Sequence, residues 1–382
     1  MNNIACTGLD GSIPLHFLAS LGALRIIQRT DTMVKMKWDL LDGIYSPVYI
    51  SMLKDIDKLS LICSNWLMTL AGEISSSKKK NIIKELFGKK KEAKTTAKEE
   101  AKEKALKGKA ASEYIKNRIV HITNELVAHQ NELDQIKQNS AITMGDGIAH
   151  LGDYLKEVSV KDFRDLSERQ CNKYILFKKG ITDKPSKEDS YFIVSQLSAL
   201  ASDAIEDIDG NIIPTPFSFS NNCSGKRLLK DFRSCAERST KEKVLASLLG
   251  SKDAWVKEPG VSSLSWSPSD IRDYALRWGD PGTDKEAVDV ATNALAYLGL
   301  ACMTVVPIKN SISTIGWKDG KKNQGFRWYL WKHAVDVETI KSLLHTSATI
   351  EELNTRGVEI IYFSEAYNPN GKRNYFSPSQ KM

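Results

Sequence analysis

Six histidines stand at positions 16, 121, 129, 150, 333 and 345. None forms an HExxH or HD-type pair, and His121 and His129 are two helical turns apart, too far for a two-ligand metal clamp. The stretch "MGDGIAHLGD" lacks the GK[ST] ending of a phosphate loop, no GxGxxG follows a strand, and no GxSxG elbow occurs. "SGKR" at 224–227 is a bare glycine–basic turn. The six cysteines (Cys6, Cys63, Cys171, Cys223, Cys235, Cys302) are scattered without a CxxC pair, which suits free thiols rather than a zinc site or a disulfide frame. No enzyme chemistry and no cofactor or metal are expected.

Basic and aromatic residues offer a different chemistry, that of a polyanion grip. Residues 78–109 hold thirteen lysines against five glutamates, so the whole net charge of +7 resides in this one segment. Lys78, Lys79, Lys80, Lys89, Lys90 and Lys91 open it. Near the C-terminus, "GWKDGKKNQGFRWYLWK" interleaves Lys318, Lys321, Lys322, Arg327 and Lys332 with three tryptophans and a tyrosine. Strict alternation would put Phe326, Trp328 and Leu330 on one strand face and Arg327, Tyr329 and Trp331 on the other. The second face could then stack a base. "NPNGKRNYF" repeats the theme with Lys372 and Arg373. In "SLSWSPSDIRDYALRWGDPGTD" Arg272 has no evident local task, while Arg277 can pair with Asp273 one turn away.

The elements that must carry these residues follow from hydrophobic period. Pro14 suits a first helical turn, and the apolar spacing predicts a helix over "PLHFLASLGALRIIQR", whose Ala19, Ser20, Gly22 and Ala23 would permit close approach to a sheet. "VKMKWDL" alternates as a strand, and a second helix is expected over 48–72. Residues 76–139 are read as a lysine-rich helical excursion standing off the core, either a solvated spacer with Glu–Lys pairs at helical spacing or an arm that tracks phosphates. Ser267 and Pro268 predict a helix over 268–278, and Asp284 caps another over 284–299 in which Asn293 could bond a neighbouring loop. The strand "ACMTVVPI", the hairpin "ISTIGWKDGKKNQGFRWYLW", a helix capped by Asp336 and the strand "GVEIIYFSEAY" complete the chain. The fold class expected is α+β, mixing helices with mainly antiparallel strands. Its divisions would be residues 1–75 as the first part of the core, 76–139 as a coiled-coil-like basic insertion, and 140–382 as the remainder. No apolar run is long enough to span a bilayer. No basic residue precedes the first apolar segment, so a soluble cytoplasmic protein is expected.

Three stretches, at residues 9–28, 214–232 and 262–345, share a further property. "GLDGSIPLHFLASLGALRII" resembles the opening of proteins encoded in type I-G (formerly I-U) CRISPR loci. "TPFSFSNNCSGKRLLKDF" is similar to their mid-chain element, and "STIGWK…FRWYLW" to their late hairpin. The most specific match is the block from 262 with "ATNALAYLGL", through Trp266, Pro268, Arg272, Tyr274, Ala275, Leu276, Arg277, Asp280 and Pro281. The chain departs from the family pattern in its lysine-rich excursion and in being short. The resemblance implies a non-catalytic subunit of an RNA-guided DNA-targeting complex, with other effector subunits and guide RNA, target DNA or both as partners. Such subunits hold strands through basic surfaces while base pairing reads the sequence. An alternative is a protein–protein adaptor of a defence complex that docks through the helical arm.

Overall fold

The computed structural model describes residues 1–74, 76–128, 195–196, 198–206, 212–219, 225–250, 257–270, 287–308, 311–319, 324–346, 348–368 and 374–382. The chain has an α+β fold in which helices pack against antiparallel sheets. Two helices form its centre. Helix α1 (Pro14–Gln28) starts with Pro14 in place of a side-chain cap and buries almost every residue, as a helix apolar all round should. Gly22 brings it against the helix Val290–Gly299: Gly22 lies against Leu295 and Gly299 against Leu18. On the sheet side the Ser20 carbonyl accepts from the Tyr49 hydroxyl (2.9 Å). The small residues thus admit a second helix as well as the expected sheet.

Strands β1 (Asn2–Ala5), β2 (Lys35–Leu41) and β3 (Ile44–Ser51) form an antiparallel sheet in the order β1–β3–β2. The β2–β3 turn is Asp42-Gly43, with φ of +48° and +84°, the left-handed pair that a two-residue hairpin requires. Residues 48–51 therefore belong to a strand, and helix α2 runs over Ile56–Ile74 rather than from 48. Asp55 starts it by accepting from the Lys58 amide.

Helix α3 (Ser76–Glu103) ends in a Schellman turn, with Ala105 at φ +54° and the Leu106 amide bonded to the Ala101 carbonyl. Helix α4 (Gly108–Arg118) returns alongside it, and residues 120–128 are again helical. Leu86, Leu126 and Ile122 make a small apolar cluster of their own. The tie between α3 and α4 is Glu100, which accepts from the Tyr114 hydroxyl (2.8 Å) and from Arg118 (3.0 Å). Residues 129–139 of the expected arm lie outside the described residues.

Further on come β4 (Ala201–Glu206), β5 (Ile212–Pro214), α5 (Gly225–Ala236), α6 (Lys241–Leu249), β6 (Lys257–Pro259) and β7 (Ala287–Asp289). Helix α7 (Val290–Gly299) is capped by Asp289, whose side chain accepts from the Thr292 amide. Five residues earlier in the sequence, Asp284 matches the same capping pattern but lies outside the described residues, and 287–289 are extended because they pair with β6. Of the helix expected over 268–278, Pro268–Asp270 form a single 3₁₀ turn, and the rest lies outside the described residues.

The C-terminal part holds β8 (Val305–Ile308), β9 (Ser311–Thr314), β10 (Trp317–Lys318), β11 (Gly325–Trp331), α8 (Val337–Leu344), α9 (Ile350–Thr355), β12 (Val358–Tyr367), β13 (Tyr375–Phe376) and β14 (Gln380–Lys381). The main sheet runs β10–β11–β12–β13, with β14 also on β12. The late hairpin is thus β10–β11 alone, since β9 pairs with β8. Asp336 caps α8 as its sequence predicts. A backbone bridge between Met36 and Val335 joins this part to β2.

Candidate functional site

Described residues of the stretches 9–28, 214–232 and 262–345 are packed on one another. The Leu15 amide donates to the Trp266 carbonyl (3.0 Å), and the Trp266 indole donates to the Phe217 carbonyl (3.0 Å). Ser265, with φ at +62°, turns the chain so that Trp266 enters the core fully buried. Asn293 closes the arrangement by accepting from the Leu264 amide (3.0 Å) and donating to the Asp289 carbonyl (2.9 Å). Its expected bond to a neighbouring loop is present.

Where the loop before α1, the 267–270 turn and the start of α7 meet, they leave a cleft of about 650 Å³. Asp10, His16, Lys257, Ser269, Asp270 and Asp289 are among its lining residues. The Asp10 amide donates to His16 Nδ1 (3.1 Å), which leaves the ring proton on Nε2. Burial pushes the His16 imidazole below its ordinary value, outweighing the opposite pull of Asp289 and Asp10. Asp289 is committed to structure: Oδ1 accepts from the Ser247 hydroxyl (2.8 Å) and Oδ2 from the Thr292 hydroxyl (2.7 Å). The cleft thus offers a neutral imidazole with carboxylates and serine hydroxyls around it. That set suits hydrogen-bonded recognition. Sequence reasoning passed over it because His16 sits alone in a helical pattern and its neighbours come from segments some 250 residues further on.

A nucleophilic thiol is not on offer among the described cysteines. Cys6, Cys63, Cys235 and Cys302 are free and buried, and burial alone pushes the Cys63 thiol up to about 12. Among the described residues no three His, Cys, Asp or Glu side chains gather in a way that could hold a metal ion.

The basic residues expected to grip a polyanion fall into two groups. Lys78, Lys79 and Lys80 lie in the first turns of α3, with Lys89, Lys90 and Lys91 a few turns on. Lys89 and Lys91 are exposed, and Lys90 is half-buried. The β10–β11 ladder brings together Lys318, exposed at the sheet edge with its ammonium 5.6 Å from the Phe363 ring, and Arg327, half-buried over the Tyr329 ring. Lys332 is exposed just past β11. Arg272, Arg277, Lys321, Lys322, Lys372 and Arg373 lie outside the described residues.

The base-stacking face expected on β11 is not there. Phe326, Trp328, Tyr329, Leu330 and Trp331 are all buried, on both sides of the strand. The ladder shifts register between Leu330 and Trp331, and Trp331 packs edge-on to Phe17 and Trp38. The Tyr329 hydroxyl meets the Thr346 carbonyl beyond α8, which covers that side. Alternation fails as a guide because this strand has protein against both faces.

The comparisons with known proteins add no relationship. No family model, curated protein or solved structure matches this chain. No helix among the described residues is long and apolar enough to cross a membrane.

Proposed function

We propose that this chain is a non-catalytic, cytoplasmic subunit of a type I CRISPR RNA-guided DNA-targeting complex, contacting guide RNA or DNA. The observation that supports this reading is the mutual packing of the three resembling stretches through Leu15, Trp266 and Phe217. They form one continuous part of the core, as the segments of a shared structural unit should. The lysines of α3 and the Lys318–Arg327 edge supply positive charge of the kind that holds a strand without reading it. The partners are then other effector subunits and nucleic acid.

The test is affinity purification of the full chain co-expressed with the subunits and guide of a type I-G locus. Guide-length RNA and the other subunits should co-elute, and nuclease should release the RNA. A chain that elutes free of both overturns the reading.

A second reading, docking of a protein partner, is favoured by one observation. Val120 and Val127 are exposed, at 47% and 53%, seven residues apart on the helical stretch after α4. That spacing repeats an apolar position along one helix face. An adaptor would co-elute with protein partners after nuclease treatment and carry no RNA.

A further inference from the structure

Helix α3 divides its surface lengthwise. Its inward seam is Leu86, Lys90, Ala93, Ala97 and Ala101, each buried or half-buried, at spacings of four and three. One residue further on at every step stand Phe87, Lys91, Lys94, Lys98 and Lys102, all exposed. One residue per step is a turn of ~100° about the axis, so these five form a second line beside the seam, ~22 Å long. Glu92, one residue before Ala93, and Glu99, seven residues on from it, are also exposed and lie on the other flank.

This layout opposes the pairing expected of a solvated spacer. None of Lys91, Lys94, Lys98 and Lys102 has an ion-pair partner among the described residues. Each is instead three or four positions from another lysine, the spacing at which like charges repel and weaken a helix. Phe87 heads the line at 58% exposure. The apolar cluster beside it is filled by Leu86, Leu126 and Ile122, which leaves the Phe87 ring outside. An aromatic face in line with unpaired cations is the pairing that single-stranded nucleic acid uses, bases stacking on the ring and phosphates lying along the charges.

We infer that the Phe87–Lys91–Lys94–Lys98–Lys102 line of α3 is a track for single-stranded nucleic acid, with Phe87 as its stacking platform. The inference rests on the nucleic-acid reading above and narrows it to one strand and one helix face. A duplex would engage the lysines but present no free base to Phe87. An anionic membrane is the rival polyanion. It is less suited, because only one large apolar side chain stands in the line.

The test is the affinity of the full chain for a labelled single strand and for a duplex across a salt series. Changing Lys91, Lys94, Lys98 and Lys102 together to Gln, which keeps helix propensity, should weaken single-strand binding and flatten the salt slope by about 0.7 per lysine. Changing Lys58, Lys107, Lys109 and Lys116, all exposed and off α3, to Gln removes the same charge off the line and should leave most of the affinity. Phe87→Ala should weaken single-strand binding about tenfold and leave duplex binding unchanged. Equal losses in the two lysine variants would overturn the track while leaving nucleic-acid binding intact. An unmodified chain that binds no strand would overturn both readings. Binding to vesicles of anionic lipid in preference to strands, lost in Phe87→Ala, would replace the strand with a membrane surface.

Discussion

Gly22 and Gly299 face each other where α1 and α7 cross. A Cβ on Gly22 would lie 1.9 Å from the Leu295 carbonyl oxygen, and one on Gly299 would lie 1.8 Å from that of Leu18. Backbone oxygens cannot swing aside as side chains do. Gly22→Ala and Gly299→Ala should therefore cost at least the upper end of the roughly 1–3 kcal/mol typical of overpacking. Gly43→Ala is the control: its φ is +84° with nothing within 4 Å, so only the left-handed backbone penalty of about 1 kcal/mol applies. Urea unfolding of the three variants checks this, and equal midpoints for Gly22→Ala and Gly43→Ala would refute it.

The tryptophans of β11 act on the fold. The indoles of Trp328 and Trp331 donate to the carbonyls of Gly11 and Met36, both at 2.8 Å. Trp331→Phe removes one of two hydrogen bonds to the Met36 carbonyl, which keeps the Val335 amide (3.0 Å), and should cost about 0.5–1.5 kcal/mol in stability. Measured on folded protein, nucleic-acid affinity should not change. A lost affinity with unchanged unfolding would return Trp331 to the binding surface.

His16 should make stability depend on pH near neutrality. The unfolded imidazole takes up a proton near pH ~6.5, while burial holds the folded one below that value. As pH falls through this window the unfolded chain binds more protons than the folded one, so the folded state loses ground. His16 contributes its full stability above the unfolded value, and the contribution declines below it until the folded value is reached. The midpoint of unfolding should drop between about pH 7 and pH 5 more steeply in the native chain than in His16→Gln. Identical slopes would show that His16 titrates alike in both states. The facing carboxylates Asp10, Asp270 and Asp289 remain in both proteins and cancel in the comparison.

Local chemistry was legible wherever it decided the outcome. Pro14 at the start of α1, the Asp336 cap and the strands 35–41 and 358–367 were readable from a few adjacent residues. The hairpin turn at Asp42-Gly43 was equally local, but the apolar run beyond it also fits a helix, and strand pairing on both sides of 44–51 chose otherwise. What lay out of reach was partnership across the chain. Nothing near Gly22 says that its neighbour is Leu295, and nothing near Trp331 says that both faces of its strand are covered. The cleft around His16 has the same origin. The lysine line of α3 was readable in principle from the seven-residue recurrence of Lys-Glu at 84–85, 91–92 and 98–99. Counting charge without phase conceals it.

The bonds from Trp328 to Gly11 and from Trp331 to Met36 join residues 317 and 295 positions apart. On a ribosome adding about 5–20 residues each second, Gly11 waits roughly 15–60 s for its partner. Over that interval α1, apolar on nearly every side, has emerged without the strand and helix that enclose it. The early chain depends on something else to keep it from aggregating, and a cell short of chaperones should lose this protein during synthesis more readily than after it.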